Sequence, residues 1–309
     1  MKASGRFFPW RRGAPTPRRL RFVSTLCGVR APRLQGRSIF AGLLVLIFVS
    51  RLPAQERISF HQVPSIALGR SLPVTVVAPE RTTAPTEAPV LFFLHGRGRH
   101  HRSLLEAPAA PATRAALLSA PFFIVLPQGE DGWYLDSPAQ PAARYQAWLE
   151  EVVAWANRTL PVSTAATQRG IAGWSMGGYG AVRFAQTHPG AFGFVGSVIG
   201  LLDFPRAETL PEGQNYRVPV ARFTADPVVW ATLNPLHAVE ALRGARVTLV
   251  LATRGFERTM NENFLAALAA KQLSAEVHWL EGGHEFALVE RALPLVIDAA
   301  ARTFQNRKP

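Results

Sequence analysis

Gly170-Ile171-Ala172-Gly173-Trp174-Ser175-Met176-Gly177-Gly178-Tyr179-Gly180-Ala181 is the stretch on which the fold turns. The apolar residues Ile171 and Ala172 read as a strand, and Ala181-Val182-Arg183-Phe184-Ala185 continues with helical spacing. Between them a serine stands at the apex of a turn, with glycine two residues before and two residues after it. Glycines there let a backbone turn sharply from strand to helix without side-chain clashes. Such a turn lifts the hydroxyl clear of the sheet, and the helix N-terminus behind it favours developing negative charge.

Outward from this turn, short apolar runs alternate with helical patterns. Val90–Leu94, Phe122–Leu126, Phe194–Ile199, Val247–Leu251 and Val277–Leu280 read as strands, the first two continuously apolar as buried parallel strands are. Leu72–Ala78 alternates as a further strand. Ser103–Leu118 (interrupted near Pro108 and Pro111), Arg144–Leu160, Asn263–Gln272 and Arg291–Phe304 have helical spacing. Gln128–Pro141, with Trp133-Tyr134, reads as a loop, and Asp203–Trp230, with no clear period, as a short cap or substrate loop. Strands alternating with helices predict an α/β fold with a doubly wound, mostly parallel sheet. Sites in such sheets lie at the strand C-termini. His95-Gly96, Ser175, Glu257 and His284 all follow strands, so the reading puts them on one edge.

The 309 residues carry a formal charge of +13, which suggests nucleic-acid binding until it is located. Residues 1–54 hold eleven Lys and Arg and no acid, leaving +2 for 55–309. The basicity belongs to the leader, and nucleic acid is not an expected partner. Within the leader, the eleven apolar residues Ile39–Val49 fit a signal h-region and fall short of a bilayer span. Leu52-Pro53-Ala54 supplies a cleavage site before Gln55. The expected division is therefore a leader at 1–54 and one catalytic domain at 55–309. The protein is expected to be exported, periplasmic or secreted, and to touch membrane only through an uncleaved leader. Cys27, the single cysteine, lies upstream of the h-region, so a cleaved chain has no thiol for disulfides, nucleophilic attack or metal binding.

A serine hydroxyl becomes a nucleophile when a base takes its proton, and histidine has the suitable pKa. Of eight histidines, His95 and His284 follow strands on the serine's edge. His95 precedes a glycine turn and reads as a packing residue. His284 lies in a Gly-Gly-His turn after the last strand, and is the candidate base. His100-His101 sit in a basic run with Arg97, Arg99 and Arg102 and read as a solvated rim, not a metal site. A tetrahedral oxyanion needs two preorganised N–H donors. Met176, after the serine, and Arg97, after the His-Gly turn, are the candidates. For the carboxylate that orients the histidine, Glu257 is the first acid beyond Val247–Leu251. Asp203, after Phe194–Ile199, is the rival, and Glu262 a weaker third.

Gly173–Ala181, Trp133-Tyr134 and Leu94-His95-Gly96 resemble the Putative esterase family of α/β hydrolases, over roughly Leu72 to Phe304. That group includes tributyrin and feruloyl esterases, S-formylglutathione hydrolases and mycolyltransferases. The resemblance implies the α/β-hydrolase fold and hydrolysis of a small-molecule carboxylester or thioester by a Ser-His-acid triad, without cofactor or metal. It also implies oxyanion donors at Arg97 and Met176. Two features depart from the family's pattern. His284 is followed by Glu285-Phe286 and Val289 rather than tryptophans, and Gly255-Phe256-Glu257 stands for Gly-x-x-Asp, one residue shorter and with Glu for Asp. A prolyl-oligopeptidase-like peptidase, an acyltransferase and an inactive hydrolase-fold binding protein are the competing readings.

Overall fold

In chain order the strands are β1 (Ile58–Ser65), β2 (Arg70–Val77), β3 (Val90–Leu94), β4 (Phe123–Pro127), β5 (Arg169–Trp174), β6 (Phe194–Val198), β7 (Arg246–Ala252) and β8 (Ala275–Leu280). They form one sheet in the order β1-β2-β4-β3-β5-β6-β7-β8. Pairing is parallel from β4 through β8, and β2 alone runs against the rest. These are features of a computed structural model that describes residues 57–80, 87–203 apart from 107, and 220–306 apart from 225. The leader, residues 81–86 and residues 204–219 of the expected cap lie outside the described residues.

Among the described residues, seven α-helices accompany the sheet: α1 (Pro111–Ser119), α2 (Tyr145–Thr159), α3 (Met176–Thr187), α4 (Val220–Phe223), α5 (Pro227–Leu233), α6 (Arg258–Ala270) and α7 (Phe286–Asn306). The continuous apolar runs of β3 and β4 are explained by two cores. Val90, Phe92 and Leu94 pack with residues of α2, α3 and α6, while Leu91 and Phe93 pack on the opposite face with α1 and α7. Each fully buried Leu or Phe contributes about 1.5–3 kcal/mol, so both faces anchor the central strands. The result is the α/β-hydrolase fold that the resemblance implies, with the mostly parallel sheet that the alternation of strands and helices predicts.

The register brings the site's backbone together. Leu94 of β3 lies beside Gly173 of β5, and Trp174 of β5 beside Val198 of β6. The residues that follow these strands therefore emerge on one edge, next to those that follow β7 and β8.

The elements differ from the expected ones at their ends. β1, not predicted, is an edge strand paired only with β2, and its burial is mostly partial. α1 begins at Pro111 rather than at Ser103, with the proline in the first turn, where its missing N–H costs nothing. α6 and α7 each begin five residues earlier than predicted, at Arg258 and Phe286. The described part of the expected cap loop is helical, in α4 and α5. Phe223 of α4 is fully buried against Trp133 and Tyr179, at ring centroid distances of 5.2 and 5.7 Å. Among the described residues, no helix is long and apolar enough to cross a membrane.

Candidate active site

Ser175 sits between β5 and α3 with φ 54° and ψ −118°, a left-handed conformation that a non-glycine residue adopts only under constraint. Two hydrogen bonds hold it there. Its N–H donates to the Val198 carbonyl at 2.9 Å, and its carbonyl accepts from the Tyr179 N–H at 3.0 Å. The turn also needs the flanking glycines. A Cβ on Gly177 would stand 2.2 Å from the Leu94 carbonyl oxygen, and one on Gly173 would stand 2.4 Å from that of Gly177. The Gly-x-Ser-x-Gly spacing thus records how closely β3, β5 and α3 approach.

His284, in the turn between β8 and α7, brings its Nε2 to 2.8 Å from Ser175 Oγ. Its Nδ1 lies 2.8 Å from Glu257 Oε2. With Nδ1–H donated to the carboxylate, Nε2 is left as the acceptor for the serine hydroxyl. Glu257 is only 1% exposed, so its charge acts on the imidazole with little screening by water. The Phe256 ring covers the imidazole, with centroids 4.4 Å apart. Asn261 donates from Nδ2 to the Glu257 carbonyl at 2.9 Å and to the Gly200 carbonyl at 2.8 Å, tying the start of α6 to the end of β6.

The structure separates the three candidate acids. Asp203 accepts from Asn234 Nδ2 and Asn263 Nδ2, each at 2.8 Å, so both its oxygens are engaged away from His284. Glu262 pairs with Arg258 on the exposed face of α6. Glu257 alone of the three bonds the histidine. Asn261 serves Glu257, and Asn263 serves Asp203.

His95 is a packing residue. Its Nδ1 donates to the Gly96 carbonyl at 2.8 Å, and its Nε2 accepts from the Gly129 N–H at 2.8 Å. Burial lowers its pKa to about 4, which keeps it neutral. Tyr134, with φ 52°, accepts the His95 N–H on its hydroxyl at 3.0 Å. The turn that carries Arg97 is therefore pinned from two sides, a support that no sequence spacing indicated. His101 is bonded to Thr75 Oγ1 at 2.7 Å rather than solvated, unlike the exposed His100. Among the described residues, no group of three or more His, Cys, Asp or Glu could hold a metal ion.

An open cleft of about 170 Å³ lies over Ser175 and His284. Trp174, Ile199, Phe286 and Val289 give it an apolar wall, and Arg97 and Arg99 a basic one. Ile199 adopts φ 42°, rare for a β-branched residue, and is held by its N–H to the Val250 carbonyl at 2.8 Å. Met176, directly after Ser175, heads α3, so its N–H has no acceptor within the helix. Arg97 lines the cleft on the facing loop. Phe286 and Val289 of α7, which follow His284 in the chain, both line the cleft.

Residues 65–293 match the family described as Esterase: Putative esterase. The esterase Rv1288 of Mycobacterium tuberculosis (strain ATCC 25618 / H37Rv) is 26% identical over 86% of this chain, which spans 65% of that relative's length. Two solved structures share the fold. The serine hydrolase FphF of Staphylococcus aureus superposes with a TM-score of 0.68 at 18% identity, covering 79% of this chain and 97% of that one. A ferulic acid esterase gives 0.66 at 20% identity, covering 80% and 97%. The family match takes in the serine turn, Glu257 and His284 together, and with the sheet they stand on it makes this chain a member of the Putative esterase family of α/β hydrolases.

Proposed function

We propose that the chain is a serine esterase that cleaves a small-molecule carboxylic ester or thioester through an acyl-enzyme. Ser175 Oγ attacks the ester carbonyl as its proton passes to His284 Nε2. Glu257 holds the Nδ1–H tautomer and stabilises the imidazolium. The N–H groups of Arg97 and Met176 receive the oxyanion of the tetrahedral intermediate. His284 then returns the proton to the departing alcohol or thiol, and water repeats the sequence to release the acid. The same reading has the enzyme exported, its leader removed before Gln55.

The observation that carries this reading is the continuous hydrogen-bonded run from Ser175 through His284 to buried Glu257, with the serine held in a strained turn. A fluorophosphonate probe should label the wild type at Ser175 and leave Ser175→Ala unlabelled. The same variant should fold and hydrolyse p-nitrophenyl butyrate at least about 10³-fold more slowly, since binding and oxyanion donors alone retain only a small part of the acceleration. Labelling at another residue, or full activity of the variant, would remove the assignment.

A further inference from the structure

The basic wall of the cleft is not needed for ester hydrolysis itself. Arg97 and Arg99 lie two residues apart on the loop after β3, and both line the cleft that holds Ser175 and His284. Arg99 is fixed in place: its guanidinium lies 4.4 Å from the centre of the Phe286 ring. Phe286 in turn stands 6.2 Å from the ring of Trp174, the residue before Ser175. The cation is therefore held to the turn of the nucleophile and to that of the base.

Among the described residues, Arg99 is one of several arginines without a carboxylate partner, Arg57, Arg169 and Arg243 among them, and the one of these that lines the cleft. Arg70, Arg102, Arg254, Arg258 and Arg302 each pair with a glutamate. Arg99 has no carboxylate partner among the described residues; its contact is the Phe286 ring. Glu285 is the one acid lining the cleft, and it is exposed. A Cβ built on Gly282 would meet Glu285 Oε1 at 2.9 Å and Arg291 Nη2 at 3.1 Å, so that carboxylate faces Gly282 on the side of Arg291.

We infer that the preferred esters carry an anionic group, a carboxylate or phosphate, which Arg99 binds while Ser175 attacks the ester carbonyl. This inference rests on the esterase reading above. A cation already stacked on an aromatic ring loses little freedom when it meets an anion, and a guanidinium matches a carboxylate or phosphate with paired N–H donors. Arg99 is then a determinant of specificity, and Ser175, His284 and Glu257 carry out the chemistry as before.

The test uses matched esters in two arms, with rates taken above a Ser175→Ala blank. In one arm the charge is on the acyl side: mono-p-nitrophenyl glutarate against p-nitrophenyl butyrate. In the other it is on the alcohol side: 4-(butyryloxy)benzoate against phenyl butyrate. In wild type the ratio of kcat/KM, anionic to neutral, should exceed one in at least one arm. Arg99→Gln should lower that ratio about ten-fold, and Arg99→Lys less, as befits loss of a charge-assisted hydrogen bond. Raising the salt from about 50 to about 500 mM should lower the ratio in wild type and leave it nearly unchanged in Arg99→Gln. The salt series also tests the wild type without any substitution. A ratio at or below one in both arms, or one that Arg99→Gln does not move, would overturn the inference and leave the esterase reading intact. Turnover of none of the four esters would remove the esterase reading and the inference with it.

Discussion

At the scale of single residues, the acid has the most to explain, because the loop that bears it is one residue shorter than the family's pattern. The structure accounts for both departures at once. The Glu257 carboxylate folds back over Gly255, where a Cβ would stand 2.1 Å from Oε1, and still reaches His284 Nδ1 at 2.8 Å. We expect glutamate's extra methylene to offset the shorter loop. Glu257→Asp should therefore behave as a deletion of the contact, cutting kcat by about two to four orders of magnitude, as losing the tautomer-fixing carboxylate does. Restoring length to the loop, by inserting one residue between Gly255 and the new Asp, should recover a large part of it. Steady-state kinetics on the two variants check this; near-wild-type activity of Glu257→Asp alone would refute the length argument. That Ser175, His284 and Glu257 come together was legible in the sequence because each follows a strand, and strand ends share one edge. Asn261 was not, since only three-dimensional reach tells it from Asn263, two residues on along the same helix.

At the scale of elements, the turn after β3 bears out His95 as a packing residue and adds the Tyr134 hydroxyl, which the sequence did not connect to it. His95 is held neutral between the Gly96 carbonyl and the Gly129 N–H, and its pKa falls from 6.5 to about 4 on burial. The sign of the consequence follows from proton counting. Between about pH 6.5 and pH 4 the unfolded chain binds this proton and the native state does not, so stability is full above that window and is lost as pH falls through it. One such histidine contributes a slope of up to ~1.4 kcal/mol per pH unit. His101, also lowered to about 4, chiefly by burial and then by the charges of His100 and Arg102, adds in the same direction. Urea midpoints measured from pH 7.5 to 4.5 should fall with acid, and His95→Gln should flatten the curve by about one proton's worth. An unchanged slope in that variant would refute the assignment of His95 as a buried neutral histidine. Element positions were otherwise legible wherever apolar runs are buried on both faces, as in β3, β4 and β6. The starts of α6 and α7 were missed because each begins within two residues of a site residue, where the sequence answers to the site and not to helix signals. β1 was missed because an edge strand buries too little to impose a pattern.

At the scale of the whole molecule, charge divides the chain where the fold begins. Residues 1–54 carry eleven of the thirteen net positive charges, and the family match starts only at residue 65. The first structural anchor comes between these points. Arg57 is buried; its Nη1 donates to the Leu118 carbonyl at 2.7 Å, and its own carbonyl accepts the Ala78 N–H at 2.8 Å. Immediately after it, β1 pairs along its full length with β2, from Ile58 against Val77 to Ser65 against Arg70. A processing site before Gln55 would spare all of these contacts, whereas a cut after β1 would expose β2 as a new sheet edge. A chain beginning at Gln55 should therefore match the full-length chain in kcat/KM and thermal midpoint within error. A chain beginning at Ile66 should lose several degrees in midpoint or aggregate. If the chain is exported as proposed, N-terminal sequencing of the protein from the native host should find Gln55 or a residue within one or two positions of it. An intact leader on membrane-bound protein would instead make residues 1–54 an anchor, with the same folded domain attached to it.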